Sequence, residues 1–433
     1  MRIATIVPGF GGTFYCGNCI RDNSCIKAFK EEGHKTVRLP MYLPITRNEI
    51  SETTRTPVFY GAVNLFLKHE FPVLRRMPEW MENMLNSGPA LKLASRFAGS
   101  SRASGLAGLT LSMLENTEPF LQQELQRLIR FMNEHVQPDI VHCSNVLLMG
   151  IAGKIRKYTG VPVICSLQDE DVWIDAMPEV MRDRIWKVMA KKVTQVDGLI
   201  AVSEYFAGIM KERMQIPAHK LHIAYSGVDP ARFPQYKPSL DPPVIGFLSR
   251  LCPENGLGIL LDAFIKLKSA VDFRELKLRI TGGMTGDDRS YIRKQIKKLK
   301  KHHFLKDVTF HEDYTSSGLP SFFEGLSVLS VPVIRGEAFG LYQIESLASG
   351  IPLVQPAVGA FPEIIKATDG GFLYYPNTSD ALAEKLQAVL KNPEILFLKS
   401  ENGKKAVADQ FNCRFQARKT IDIYRQIIQQ FKP

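Results

Sequence analysis

The sequence predicts an α/β protein built from two parallel-sheet domains. The chain has 433 residues, more than a single hydrophobic core usually serves, which suits two domains. Short apolar runs that read as strands alternate with helically spaced segments over most of its length, the pattern of parallel sheets joined by crossover helices. Many of these runs stop at glycine-rich or polar loops, the edge at which such sheets bind ligands.

In order, Arg2–Val7 is an apolar strand that meets Pro8-Gly9-Phe10-Gly11-Gly12. Residues 18–32 have helical spacing, stop at Gly33, and a strand restarts at 36–39. This is a βαβ unit whose turn, at Gly11 and Gly12, lets an anionic or polyhydroxyl ligand approach the backbone. Cys16-Gly17-Asn18-Cys19 is a CxxC with Cys25 nearby. No second CxxC or histidine pair completes a zinc site, so thiols at a helix start are the better reading. Residues 60–114 lose the alternation, are rich in Phe, Leu and Met, and read as a helical insertion. A helix over about 115–135 leads to a strand ending in Asp139-Ile140-Val141-His142. Strands at 161–167 and 199–202 follow, the first running into Gln168-Asp169-Glu170-Asp171.

The first domain spans 1–235 and the second 236–413, with the proline-rich 234–243 as linker. Strand 244–248 runs into a loop with Arg250, and strand 276–281 closes at Gly282-Gly283. The central unit begins with an apolar strand over 328–334 that breaks at Gly336. Glu337 and Ala338-Phe339-Gly340 come next, then a helix with Glu345, then a strand at 351–354 and a loop with Gly359. Glu345 lies about two helical turns beyond Glu337, so both carboxylates can face one crevice. The helix N-terminus between them suits a phosphate. Two such glutamates alone would read as a capped, solvated helix.

Glu337 to Val354 reads E-A-F-G-L-x-x-x-E-S-L-A-S-G-I-P-L-V, followed by Gly359 and Pro362-Glu363. It resembles the signature of retaining nucleotide-sugar glycosyltransferases, family 4 above all. The opening from Gly11-Gly12 to Gly33-His34-Lys35-Thr36-Val37 and the run IAYSGVDPARF from Ile223 to Phe233 are similar to the same family. The resemblance implies the GT-B fold, two Rossmann-like domains facing across a cleft, with residues 414–433 as a helix crossing back to the first domain. It implies a nucleotide-sugar donor on the second domain and a carbohydrate or glycolipid acceptor on the first. Glu337 would face the donor sugar and Glu345 the ribose. Gly283, Ala338, Phe339, Gly340 and Leu341 would line the donor, as would Gly11 and Gly12. His142 is either a structural histidine at a strand end or a catalytic group, and the acidic run Asp169 to Asp171 either touches acceptor hydroxyls, with Asp169 and Asp171 as the candidates, or forms a solvated loop.

The chain departs from the family pattern twice. His142-Cys143-Ser144 stands where members often carry His-x-His. Arg250 and Gly256 are kept, but Asn255 replaces the usual lysine, with Glu254 beside it. Both cations normally hold the donor diphosphate, and Arg335 is the candidate substitute. Charge stabilisation of the leaving diphosphate by Arg250, helix-end amides and Arg335 is the expected largest catalytic effect. No Asp-x-Asp donor-metal motif is present, so neither metal nor cofactor is expected. A phosphorylase-like reaction would need a pyridoxal lysine, for which no segment argues. A silent nucleotide-sugar-binding homologue acting through a partner is the alternative that Asn255 and Ser144 motivate.

Composition agrees with a globular enzyme: 45% hydrophobic and 23% charged residues, with no apolar run near the roughly 18 residues that span a bilayer. The start MRIATIVPGF reads as a strand, not a signal peptide, and seven cysteines without a secretory signal argue against a disulfide framework. These point to the cytoplasm. The net charge of +11 divides as +5 before and +6 after Tyr236. It suits steering of anionic nucleotide-sugars or peripheral contact with the anionic inner face of a membrane. No helix-turn-helix, RNA-binding or zinc-finger pattern points to nucleic acid. Lys294, Lys297, Lys298 and Lys301 form a stripe on one helix, either a solvated face or a lipid contact.

Overall fold

The computed structural model describes residues 1–8, 15–41, 59–60, 103–315 and 318–432. Gly11, Gly12 and most of the expected insertion lie outside the described residues; of the insertion, helix Ala103–Glu115 is described. The chain forms two compact units. The first comprises Met1–Gly12, Cys25–Ala224 and Ala417–Pro433, the second Thr13–Ser24 and Tyr225–Gln416. The last helix, Cys413–Gln430, therefore begins in the second unit and ends in the first.

Each unit is built on a six-stranded parallel sheet. In the first, β1 (Arg2–Val7), β2 (Lys35–Pro40), β3 (Ile140–Cys143), β4 (Val163–Leu167), β5 (Gly198–Ala201) and β6 (Leu221–Ile223) lie in the order β2-β1-β3-β4-β5-β6. Every residue of β3, β4 and β5 is buried, as expected of strands covered on both faces. In the second, β7 (Val244–Leu248), β8 (Lys277–Thr281), β9 (Val308–Phe310), β10 (Val328–Leu329), β11 (Leu353–Pro356) and β12 (Gly371–Tyr374) lie in the order β12-β11-β10-β7-β8-β9. Winding reverses between β7 and β10 there, and between β1 and β3 in the first sheet. The carboxyl ends of the strands flanking a reversal splay their loops apart and leave a crevice. No helix among the described residues is long and apolar enough to cross a membrane.

The apolar run 328–334 pairs as a strand only at Val328 and Leu329. Beyond them the chain stays buried as far as Val333 but leaves the ladder. Val331 N–H donates to the Gln355 side-chain oxygen (3.0 Å), Pro332 has no N–H to give, and Ile334 N–H donates to the Glu254 carbonyl (3.0 Å). The loops after β7 and β10 are thus joined to each other. Gly256, at φ 76°, sits so close that a Cβ there would lie 1.8 Å from the Pro332 carbonyl oxygen. Gly256→Ala combines a left-handed backbone with a clash against backbone that cannot yield. It should cost at least about 2 kcal/mol, read as a lower urea midpoint with an unchanged m-value.

Candidate functional site

In the second unit the two loops at the β7–β10 reversal bring together most of the residues singled out in the sequence. Arg250, two residues past β7, grips Asp288 through Nε (3.0 Å) and Nη2 (3.0 Å), and Nη2 lies 3.4 Å from the Thr285 hydroxyl. Burial opposes the charge on Arg250, but the bond to Asp288 and the negative charges around it together outweigh burial and raise the guanidinium pKa above its ordinary value. Burial likewise opposes ionisation of Asp288, yet Arg250 and Thr285 hold it below the usual carboxylate range. Asn255 turns its amide inward, donating to Ser249 Oγ (2.7 Å) and the Arg250 carbonyl (2.9 Å). Arg335, one residue past the Ile334–Glu254 bond, is exposed and forms no hydrogen bond or ion pair among the described residues. Gly282, which precedes Gly283, leaves no room for a Cβ: one would lie 2.1 Å from the Ser249 carbonyl oxygen.

Glu337 is half-buried. Its carbonyl accepts from Ala360 N–H (2.9 Å), and its carboxylate accepts from the Tyr342 hydroxyl (3.2 Å). Burial, with the Glu337 charge beside it, pushes the Tyr342 phenol well above its ordinary pKa. Gly359, at φ 61°, packs on this segment so closely that a Cβ would stand 2.4 Å from Glu337 N. The backbone at Glu337 is therefore held at both its N–H and its carbonyl by the single turn Gly359-Ala360. Ala338, Phe339, Gly340 and Leu341 are buried and lead into helix Leu341–Ala348. The Phe339 ring packs near those of Tyr225 and Phe411, each 6.4 Å away. Glu345, on the same helix, is 1% exposed and accepts from the Tyr15 hydroxyl at 2.7 Å. Burial raises its pKa to about 7, against the opposing pull of Tyr15 and Arg232. Tyr15 is itself anchored by its N–H to the Gly282 carbonyl (2.8 Å).

The remaining candidates belong to the first unit. His142 on β3 is buried, with Nδ1 2.6 Å from the Tyr424 hydroxyl and Nε2 2.8 Å from the Ser166 hydroxyl. Both ring nitrogens are engaged inside the fold. Ser144, where the second family histidine would stand, is buried, and its hydroxyl has no partner among the described residues. Asp169 and Asp171 are half-buried at the end of β4, and burial raises the Asp171 pKa. Between them Glu170 is 1% exposed. It accepts from the N–H groups of Gln168 (2.8 Å), Asp169 (3.2 Å) and Val146 (3.3 Å), tying the loop after β4 to the loop after β3. Burial, and next the charge of Asp169, raise its pKa to about 8.

Sequence reasoning missed Tyr15, Tyr342, Asp288 and Glu170. Tyr342 stands inside the quoted motif and Tyr15 follows the first glycine loop, so proximity could have marked them. Nothing in the sequence pairs Asp288 with Arg250. Cys16, Cys19 and Cys25 are half-buried and form no disulfide among the described residues, and no group of His, Cys, Asp or Glu among the described residues could hold a metal ion.

Two doubly wound parallel sheets with a loop-built site at the reversal of the second define the GT-B class. Comparisons with known proteins agree. Residues 108–232 match the family profile described as Glycosyltransferase Family 4, and residues 229–406 that of Glycosyl transferases group 1. The chain is 25% identical over 309 residues to an MMP α-(1→4)-mannosyltransferase of Mycolicibacterium hassiacum, covering 67% of this chain and 71% of that one. Sucrose-phosphate synthase from Thermosynechococcus elongatus superposes over 100% of both chains with a TM-score of 0.73 at 16% identity. HepE of Anabaena, solved with UDP, covers 98% of this chain and 100% of its own, with a TM-score of 0.68 at 13% identity. The two family matches adjoin and run through both units: the chain belongs to the family 4, group 1 glycosyltransferases.

Glu170 makes stability depend on pH. Its pKa rises from 4.5 to about 8 on folding, so the folded chain keeps a proton that the unfolded chain has lost. Stability conferred on the folded state therefore falls as pH rises through that window. Glu345, raised to about 7, acts in the same sense, whereas His34 and His222, both lowered by burial, act in the opposite one. The Glu170→Gln variant isolates the first effect. Relative to it, the parent chain should lose stability between about pH 5 and about pH 8, measured by urea unfolding at each. A constant difference would assign Glu170 an ordinary pKa.

Proposed function

We propose that the chain is a retaining glycosyltransferase that moves a sugar from a nucleotide-sugar donor to a carbohydrate or glycolipid acceptor, with the donor held where β7 and β10 reverse. The observation that carries this reading is Glu337. It is a half-buried carboxylate on a backbone held by the turn Gly359-Ala360, at the edge where such sheets take ligands. The mannosyltransferase relative and the UDP held by HepE agree in kind. In this reading Glu337 faces the sugar and stabilises charge at the reacting carbon. The first-turn amides of helix Leu341–Ala348 face the diphosphate. Glu345 takes a ribose hydroxyl in the position the Tyr15 hydroxyl now fills, one O–H donor replacing another. Asp169 and Asp171 serve the acceptor.

The leaving diphosphate is the weak point in charge. Arg250 is already neutralised by Asp288, and Asn255 supplies no cation. This observation favours the second reading, a chain that binds donor without turning it over. Calorimetry with uridine, guanosine and adenosine diphosphates in chelator, followed by assays for hydrolysis of the matching nucleotide-sugars, separates the two. Absence of binding by all three would remove both readings. Given turnover, Glu337→Ala should lower kcat more than donor affinity, and Glu345→Ala should weaken donor binding, since a ribose contact is shared by ground and transition states. Unchanged kinetics in both variants would refute the site.

Arg335 is the cation that can make up the deficit. It is exposed, without an ion pair, and one residue from the bond joining its strand to the Glu254–Asn255 loop. Its fork can take two phosphate oxygens at once. Arg335→Ala should cost nucleoside-diphosphate affinity about tenfold, roughly 1.4 kcal/mol, and leave affinity for the nucleoside unchanged. Asn255→Lys should restore part of the loss. Equal diphosphate affinity in the parent and Arg335→Ala chains would leave the diphosphate to the backbone amides alone.

A further inference from the structure

Residues 289–306 contain eight lysines and arginines and no aspartate or glutamate, in a chain whose whole net charge is +11. The surplus of +6 after Tyr236 is therefore more than accounted for by one short stretch. Helix Arg289–Lys301 forms the first part of it and turns Ile292 and Leu299 into the second unit. At about 100° per residue, Lys294, Lys297 and Lys301 fall on the opposite side, with Arg293 and Lys300 at the flanks; all five are exposed. The stripe expected from the sequence loses one member, because Lys298 is drawn to Asp262 at 2.8 Å. Lys294, Lys297, Lys300 and Lys301 form no hydrogen bond or ion pair among the described residues. The acids bordering the stretch do little to neutralise it. Asp288 pairs with Arg250, buried Asp307 pairs with Lys268 and Lys277, and Asp287 alone stands exposed.

Folding does not account for this arrangement. Like charges three and four residues apart on a helix repel, as in Arg293, Lys297 and Lys301. Arg289 and Arg293 also sit in the half of the helix where its dipole disfavours cations. A cationic face that weakens its own helix gains from a partner that neutralises it. The five cationic side chains share their side of the helix with no aromatic ring on which a base could stack; the exposed His302 and His303 lie past the helix end, His302 already stacked on Phe304. Clusters of about four to eight Lys and Arg on one helix are the size that holds a protein to an anionic bilayer.

We propose that the face formed by Arg293, Lys294, Lys297, Lys300 and Lys301 docks on an anionic phospholipid bilayer through headgroup phosphates. The contact is electrostatic and peripheral. It is screened as the Debye length contracts from about 10 Å at 0.1 M salt to about 3 Å at 1 M.

The full chain is sedimented with phosphatidylcholine vesicles with and without phosphatidylglycerol. Binding should be at least tenfold tighter to the anionic vesicles and should vanish in molar salt. Lys294→Glu, Lys297→Glu and Lys301→Glu combined should abolish it. A charge-matched control, Lys211→Glu, Lys366→Glu and Lys405→Glu, all exposed positions outside this helix, should bind like the parent. Circular dichroism and urea unfolding verify that both variants are folded; if the helix variant is not, Lys297→Gln with Lys301→Gln replaces it and should weaken binding severalfold. No preference for anionic vesicles, or equal loss in the helix variant and its control, would overturn the proposal. Mixed-sequence RNA that displaces the chain from vesicles at equal charge concentration would overturn it in favour of nucleic acid.

Discussion

The close approach of backbone to backbone between the loops after β7 and β10 is the constraint on which the candidate site depends. Gly256 lies against the Pro332 carbonyl, Ile334 N–H bonds the Glu254 carbonyl, and Gly359 lies against Gly336 and Glu337. Side-chain contacts can relax by changing rotamer, whereas contacts between main chains fix positions to within tenths of an ångström. The Glu337 side chain starts from that fixed backbone, and its carboxylate is oriented by the Tyr342 hydroxyl. For a group that must face a reacting atom, placement of this kind is the larger part of what a protein can contribute.

Electrostatics around the site are held in balance by pairs rather than by free charges. Arg250 and Asp288 neutralise each other, Tyr15 caps Glu345, and Tyr342 caps Glu337. Each pair leaves its loop satisfied without a ligand, which a buried polar site requires if the unliganded fold is to persist. The consequence is that a ligand must exchange partners rather than fill vacancies. Hydroxyl for hydroxyl at Glu345 is a nearly even exchange. Taking Arg250 from the bidentate grip of Asp288 is not, because Asp288 would be left a buried and uncompensated carboxylate. That asymmetry makes Arg335, exposed and without an ion pair, the natural place for added negative charge.

Much of this was legible in the sequence, and the exceptions have physical reasons. The alternation of runs gave both parallel sheets, because strands covered on two faces are nearly all apolar. The same rule misled at 328–334. Apolar density reports burial, not hydrogen bonding, and a buried loop tied to Gln355 and Glu254 carries the same composition as a strand. Glu337 and Glu345 were found because their spacing and neighbours form one local motif. Their partners were not, since Tyr15 meets Glu345 across 330 positions and Asp288 meets Arg250 across 38. In Asp169-Glu170-Asp171 three acids in a row look alike, yet the middle one alone turns inward to three backbone amides.

Averaging hid the sign structure of the second unit. Counted over a whole half of the chain, its charge is a modest surplus suited to steering; resolved by element, it is a strongly basic helix beside a site in which Arg250 is paired with Asp288. Asp288 connects the two. It is the residue immediately before helix Arg289–Lys301, and its carboxylate holds both the Thr285 turn and the Arg250 guanidinium. Tyr291, in the first turn of that helix, accepts the Gly258 N–H at the start of the helix that follows the Arg250 loop. The basic helix is thereby fastened at its N-terminus to the loop that carries Arg250. The electrostatic surface and the candidate site are thus joined by hydrogen bonds and an ion pair within the second unit.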